Sequence, residues 1–294
     1  MIKAQNLQPK DVAFSGSLTW SKKSKQAIKL MLVILLGSWG CNSGPRAKPK
    51  VSYRVSAKEN FIKGKKAFED EDYLEAIEYF KFVKNKFPYS SFATQADLYL
   101  ADCQFGRDRY LEAADAYENF IKLHPKNPKV PYALFKMAES YFERIPSDFF
   151  LFPPSYELEL KETRRAVRAI QRYLDRFPNG KNAPKAKKML AKAKHLLAQQ
   201  VWYVMNFNLK NEKYRGALWR ADQLLQQYPD AGFSDEALMV KAKSAQKLKD
   251  LSLSRKALEK LVKSFPNSKY AEEAKTMLNK IPAQQGASHD AKKP

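Results

Sequence analysis

The sequence predicts an all-α fold, an α-solenoid of about five tetratricopeptide-like helix-turn-helix repeats. Three observations carry this prediction. First, an aromatic residue or histidine followed by proline recurs five times, at Phe87-Pro88, His124-Pro125, Phe177-Pro178, Tyr228-Pro229 and Phe265-Pro266. Second, a small residue stands twelve positions before each proline (Ala76, Ala113, Ala166, Ala217, Ser254). Phe80, Tyr117, Ile170, Ala221 and Leu258 stand eight before it, and Val83, Phe120, Tyr173, Leu224 and Leu261 five before it. Third, small or apolar pairs follow each proline: Ala93/Ala96, Val130/Ala133, Ala183/Ala186, Ser234/Ala237 and Ala271/Ala274. Small residues let two helices approach, bulky ones a turn later fill the space between them, and proline ends a helix.

The elements read in order as follows. Residues 1–40 form an export signal, with Lys22, Lys23, Lys25 and Lys29 ahead of the apolar run Leu30–Leu36. That run is far short of the ~20 apolar residues that span a bilayer. The segment ending at Gly40-Cys41 resembles a lipobox, which makes Cys41 the lipidation site; a signal with Cys41 as a bystander is the other reading. Asn42, in place of an aspartate after the cysteine, implies delivery to the outer membrane by analogy with lipoprotein sorting. Residues 41–56 read as the lipid anchor and an extended basic tether, 57–281 as the repeat solenoid and 282–294 as a disordered tail.

Within the solenoid, proline-to-proline spacings of 37, 53, 51 and 37 residues make two repeats regular and two enlarged. The third repeat has a first helix near 132–144, an aromatic insertion at 145–155 and a second helix resuming near Leu158. That insertion either packs on its own repeat or serves as a docking loop. The fourth has a lengthened first helix, about Ala183 to Leu209, and a closing helix follows the fifth at about Tyr270 to Lys280.

Ten glycines and the lack of alternating strand runs argue against β folds. Catalytic constellations are missing too. The histidines at 124, 195 and 289 are scattered, His124 takes the structural slot before proline, and no metal-ligand spacing, nucleophile elbow or phosphate loop occurs. The expectation is a binding protein with no cofactor and no metal. Cys103 lies in an apolar stretch and reads as a buried small hydrophobe. Glu69-Asp70-Glu71-Asp72 reads as a turn that caps the following helix.

Charge is uneven. Six of the 53 basic and one of the 31 acidic residues precede Cys41, leaving a net charge of +17 from there on. Between 161 and 194 twelve basic residues stand against two acidic ones. Arg165, Arg168, Arg172 and Arg176 form a stripe on one helix, and Lys185, Lys188 and Lys192 another on the next. These stripes read either as a contact for an anionic partner (lipid head groups, lipopolysaccharide phosphates or an acidic protein surface) or as a solvated outer face. The export signal argues against nucleic acid as the partner.

The leader, the tether, the five repeats and several runs together resemble the BamD family. Those runs are 87–101 (FPYSSFATQADLYLA), 110–125 (YLEAADAYENFIKLHP), 172–180 (RYLDRFPNG) and 220–230 (RADQLLQQYPD), and the resemblance covers about residues 41 to 281. It implies a lipid-anchored outer-membrane protein facing the periplasm. The implied function is that of a non-catalytic scaffold of the machine that inserts β-barrels. Implied partners are the barrel insertase subunit, other assembly-machine lipoproteins, unfolded outer-membrane proteins, and the inner leaflet of the outer membrane through the anchor. Arg220 stands where the family has an arginine at the contact with the insertase. Two rival readings share the architecture: a pilus-assembly lipoprotein that pilots a secretin, and a periplasmic repeat protein that coordinates peptidoglycan synthesis.

Overall fold

The computed structural model describes residues 56–145 and 160–281, all within the compact unit Pro49–Pro294. The signal at 1–40, Cys41, the tether up to Val55, the 146–155 part of the insertion and the 282–294 tail lie outside the described residues. Among the described residues the structure is entirely helical, apart from turns. The helices are α1 (Ala57–Glu69), α2 (Tyr73–Lys86), α3 (Ser91–Gly106), α4 (Tyr110–Leu123), α5 (Val130–Glu143) and α6 (Lys161–Arg176). They continue with α7 (Ala183–Lys210), α8 (Tyr214–Gln227), α9 (Ser234–Lys247), α10 (Leu251–Ser264) and α11 (Ala271–Lys280).

Each helix packs on the next in sequence, and α1 on α3, α5 on α7 and α7 on α9 as well. The odd-numbered helices therefore form one layer and the even-numbered ones a second. This is the tetratricopeptide arrangement that the spacing predicts.

The repeated residues do the same work in every unit. At the end of each even helix the residue before proline leaves the helical region in one shared geometry, from φ −127, ψ 55 at His124 to φ −137, ψ 49 at Tyr228. Its N–H still donates to the carbonyl four residues back, as Phe87 does to Val83 and Phe265 to Leu261. Its own carbonyl accepts from the residue three positions on, so proline, which has no N–H to satisfy, sits inside a closed turn. The small, bulky and post-proline positions of all five units are buried, from Ala76 and Phe80 at 0% exposure to Ser234 at 7%. Gly64 shows how tight the first pair is: a Cβ there would lie 3.0 Å from the Phe80 ring.

Four turns within repeats also share one form. Glu71, Asp108, Glu212 and Lys249 adopt φ of 55 to 65°, a left-handed conformation in which a Cβ is strained. Asp72 and Asp250 then cap the next helix, accepting from the N–H of Glu75 and Leu253, as the acidic run at 69–72 predicts. Arg109 and Lys213 hold the same position in the second and fourth units without a side-chain cap bond.

Cys103 is buried, and burial pushes its thiol up to about 12. His124 packs on Phe120 at 5.2 Å and places Nε2 3.3 Å from Asp97, the structural role expected of it. The first helix of the third repeat runs Val130–Glu143, two residues earlier than expected at its start, and the second begins at Lys161.

Candidate partner-binding cleft between the third and fourth repeats

The long helix α7 sets the geometry of this region. Its 28 residues give a rod of about 42 Å, twice the length of its neighbours. Ala183, Ala186 and Met189 in its first half join the core built with α5 and α6, while Ala198, Val201 and Met205 in its second half join a separate core with α8 and α9. The two even-layer helices therefore lie on different halves of one rod. A cleft of 620 Å³ lies along α7 there, lined by Arg164 from the first turn of α6, by Leu197, Gln200, Val201, Tyr203 and Val204 of α7, and by Arg220, Gln223, Gln227 and Tyr228 of α8.

Among the described residues that line it, the cleft holds two arginines and no acidic residue. Arg220 is half-buried and pre-positioned: its Nη1 donates to Gln223 Oε1 at 2.7 Å, and its guanidinium lies 4.5 Å from the Trp219 ring centroid. Gln223 is held in turn by Nε2 donating to Gln227 Oε1 at 3.2 Å. Burial raises the Tyr228 phenol pKa, and the Arg164 guanidinium counteracts it, which places that charge close to the ring. Tyr203, 38% exposed, lines the cleft, and Trp219, 60% exposed, lies next to it under Arg220.

A second polar assembly crosses repeats two to four. Asp102 on α3, half-buried, accepts from Tyr117 of α4 at 2.5 Å and Tyr132 of α5 at 2.8 Å. Burial raises its pKa, and the two phenol donors partly counteract that rise. Glu139 of α5, 6% exposed, receives Lys136 at 2.6 Å and Lys185 of α7. Burial alone would raise the Glu139 pKa, but the two ammonium groups more than offset it and hold the carboxyl below its ordinary range. Lys136 also lies 3.3 Å from the Phe105 ring centroid. Sequence reasoning missed this network, as it missed Gln223 and Tyr228 as lining residues of the cleft.

The predicted basic stripes divide between the layers. Arg165 pairs with Glu162 at 3.3 Å, Arg172 approaches Glu118 of α4 at 3.9 Å, and Lys185 pairs with Glu139 of α5. Arg168, Lys188 and Lys192 are exposed and have no ion pair among the described residues, and Arg176 lies over the Phe177 ring at 5.5 Å. The α6 stripe thus borders the even layer and the α7 stripe begins on the odd one. No group of three or more His, Cys, Asp or Glu among the described residues could hold a metal ion, and no described helix is long and apolar enough to cross a membrane.

Residues 54–257 match the model of the family described as YfiO, outer membrane lipoprotein. The chain belongs to that family. It is 26% identical to the outer membrane protein assembly factor BamD of Neisseria meningitidis, over 68% of this chain and 75% of that protein. With the BamD of Neisseria gonorrhoeae it shares 24% over 82% of this chain and 93% of the relative, and with that of Caulobacter vibrioides 24% over 74% and 68%. Among solved structures, the TPR2AB domain of yeast Sti1 aligns at a TM-score of 0.39 and 13% identity, covering 76% of this chain and 83% of that one. Both irregular repeats and the whole 620 Å³ cleft fall inside the family-matched region.

Proposed function

We propose that this YfiO-family protein is a non-catalytic scaffold of an outer-membrane protein assembly machine. A lipid on Cys41 holds it to the inner leaflet of the outer membrane, facing the periplasm. The α6–α8 cleft docks the β-barrel insertase subunit, and the early repeats receive unfolded outer-membrane proteins. Other lipoproteins of the machine complete the assembly.

The observation that supports this reading most is the state of Arg220. A half-buried guanidinium, steered by Gln223 and stacked on Trp219, shares a cleft with a second arginine and with no carboxylate among the described lining residues. Such a site is suited to an acidic side chain from a partner, because a guanidinium fork matches a carboxylate in geometry and charge. Exposed Trp219 and Tyr203 supply aromatic contact area of the kind that dominates interface energetics. Truncating one partner of such a desolvated charge pair costs about 2–5 kcal/mol of binding.

Purification of the tagged protein from membranes in mild detergent tests the reading, with co-purifying proteins identified by mass spectrometry. The expected result is a large barrel insertase in near-equal amount. Recovery of a secretin or a cell-wall synthase in its place contradicts the proposal.

A further inference from the structure

We infer that the outward face of α6 is a docking surface for phosphate-bearing anionic lipid. Arg168, Arg172 and Arg176 stand four residues apart, along about 12 Å of helix. All three are exposed, and with Gln171 and Asp175 they line an open depression of 530 Å³. Among the described residues two carboxylates lie near them, Asp175 and Glu118. Asp175 is engaged by Gln171 Nε2 at 2.8 Å, and Glu118, 3.9 Å from Arg172, is shared with Lys122 at 3.4 Å.

The composition of the face indicates what kind of partner fits. On α6, and on α7 as far as Trp202, no large hydrophobic side chain is exposed, and Leu123 at the end of α4 is the exposed one on the neighbouring helix that supplies Glu118. Protein-protein interfaces depend on buried aromatic and apolar anchors and deplete charge at their centres. A phosphate-rich surface needs only charge and donors, and arginine forks bind phosphate oxygens in pairs. The inference rests on the membrane location implied by the lipoprotein family. It goes beyond that reading by giving the array a second contact with the membrane, independent of the anchor.

The repeat array contains its own control. Lys256, Lys260 and Lys263 on α10 are also exposed and carry the same charge, with Glu259 among them as Asp175 is among the arginines, but they lack guanidinium forks and Leu251 is exposed on the same helix. The test uses the full chain with Cys41→Ser, sedimented with vesicles of seven parts zwitterionic to three parts anionic phospholipid, and with wholly zwitterionic vesicles. The expected result is binding to the anionic vesicles that falls about a hundredfold in R168Q/R172Q/R176Q and less than twofold in K256Q/K260Q/K263Q. Circular dichroism checks that both variants keep their helix content. Free phosphate at millimolar concentration should not displace the protein if an extended lipid surface is the ligand; full displacement would assign the site to free phosphate instead. Equal losses in the two variants would reduce the effect to net charge and overturn the proposal. So would binding of the α6 face to polyglutamate but not to vesicles. Because no insertase is present, either failure leaves the assembly reading standing.

Discussion

The first two repeats and the junction of the third and fourth use the same helix-turn-helix unit to different ends. In α1–α4 the unit is filled. Phe61, Phe80 and Tyr99 pack ring against ring at 5.0–5.6 Å, with Phe80 stacked on Tyr99. At α6–α8 the position of Phe80 is taken by Ala221, and the doubled length of α7 sets its neighbours on separate halves. The first region stacks Phe61, Phe80 and Tyr99 in its core, although Tyr89 stays exposed; the other leaves Trp219 and Tyr203 exposed near Arg220. The comparison teaches that a break in the period adds a cleft between two even-layer helices to the surfaces that the regular repeats still offer.

The sharpest way to break this comparison is Phe80→Ala, which gives the first repeat the side chain of the fourth. We expect a loss of about 3–5 kcal/mol, read by chemical denaturation, with the greatest rise in amide exchange in α1–α3. Next is Glu139→Gln, which cuts the link between α5 and α7 and leaves two ammonium groups without their carboxylate; the expected cost is about 3 kcal/mol at neutral pH. Since the folded pKa of Glu139 lies below its unfolded one, its stabilisation is present above the ordinary carboxylate range. It is lost as pH falls through the lowered folded value. The gap between wild type and variant should therefore narrow on acidification. A gap that widens would contradict the network.

Smaller effects separate the units further. Asp250→Ala removes a cap and should cost about 1 kcal/mol, while Lys213→Asp supplies the cap that the fourth repeat lacks and should stabilise by a similar amount. Lys249→Gly relieves a left-handed residue at φ 65° and should raise stability by about 0.5–1 kcal/mol in the same denaturation assay.

The repeats were legible because their burial follows from local spacing. Helix period and the residue before proline decide which positions face the neighbour, so even Ser234 and Ser254 are buried where the pattern requires it. The cleft was only half legible. The length of α7 can be read from the sequence, but that Arg164 and Arg220 line one cleft depends on how two helices sit along a third. Asp102 and Glu139 look like surface residues in sequence. What buries them are partners up to 46 positions away, and no single-helix period reports such a distance. The basic stripes show the same boundary: spacing assigned each to one helix face, but not the layer that face borders.

The most direct test of the claim that the failed period makes the site is the affinity of the purified insertase for the intact chain, for Arg164→Ala, for Arg220→Ala and for the double variant. The account predicts at least a tenfold loss for Arg220→Ala, and a double loss smaller than the product of the single ones, because both residues serve one cleft. Affinities within twofold of the intact chain for all three variants would contradict it.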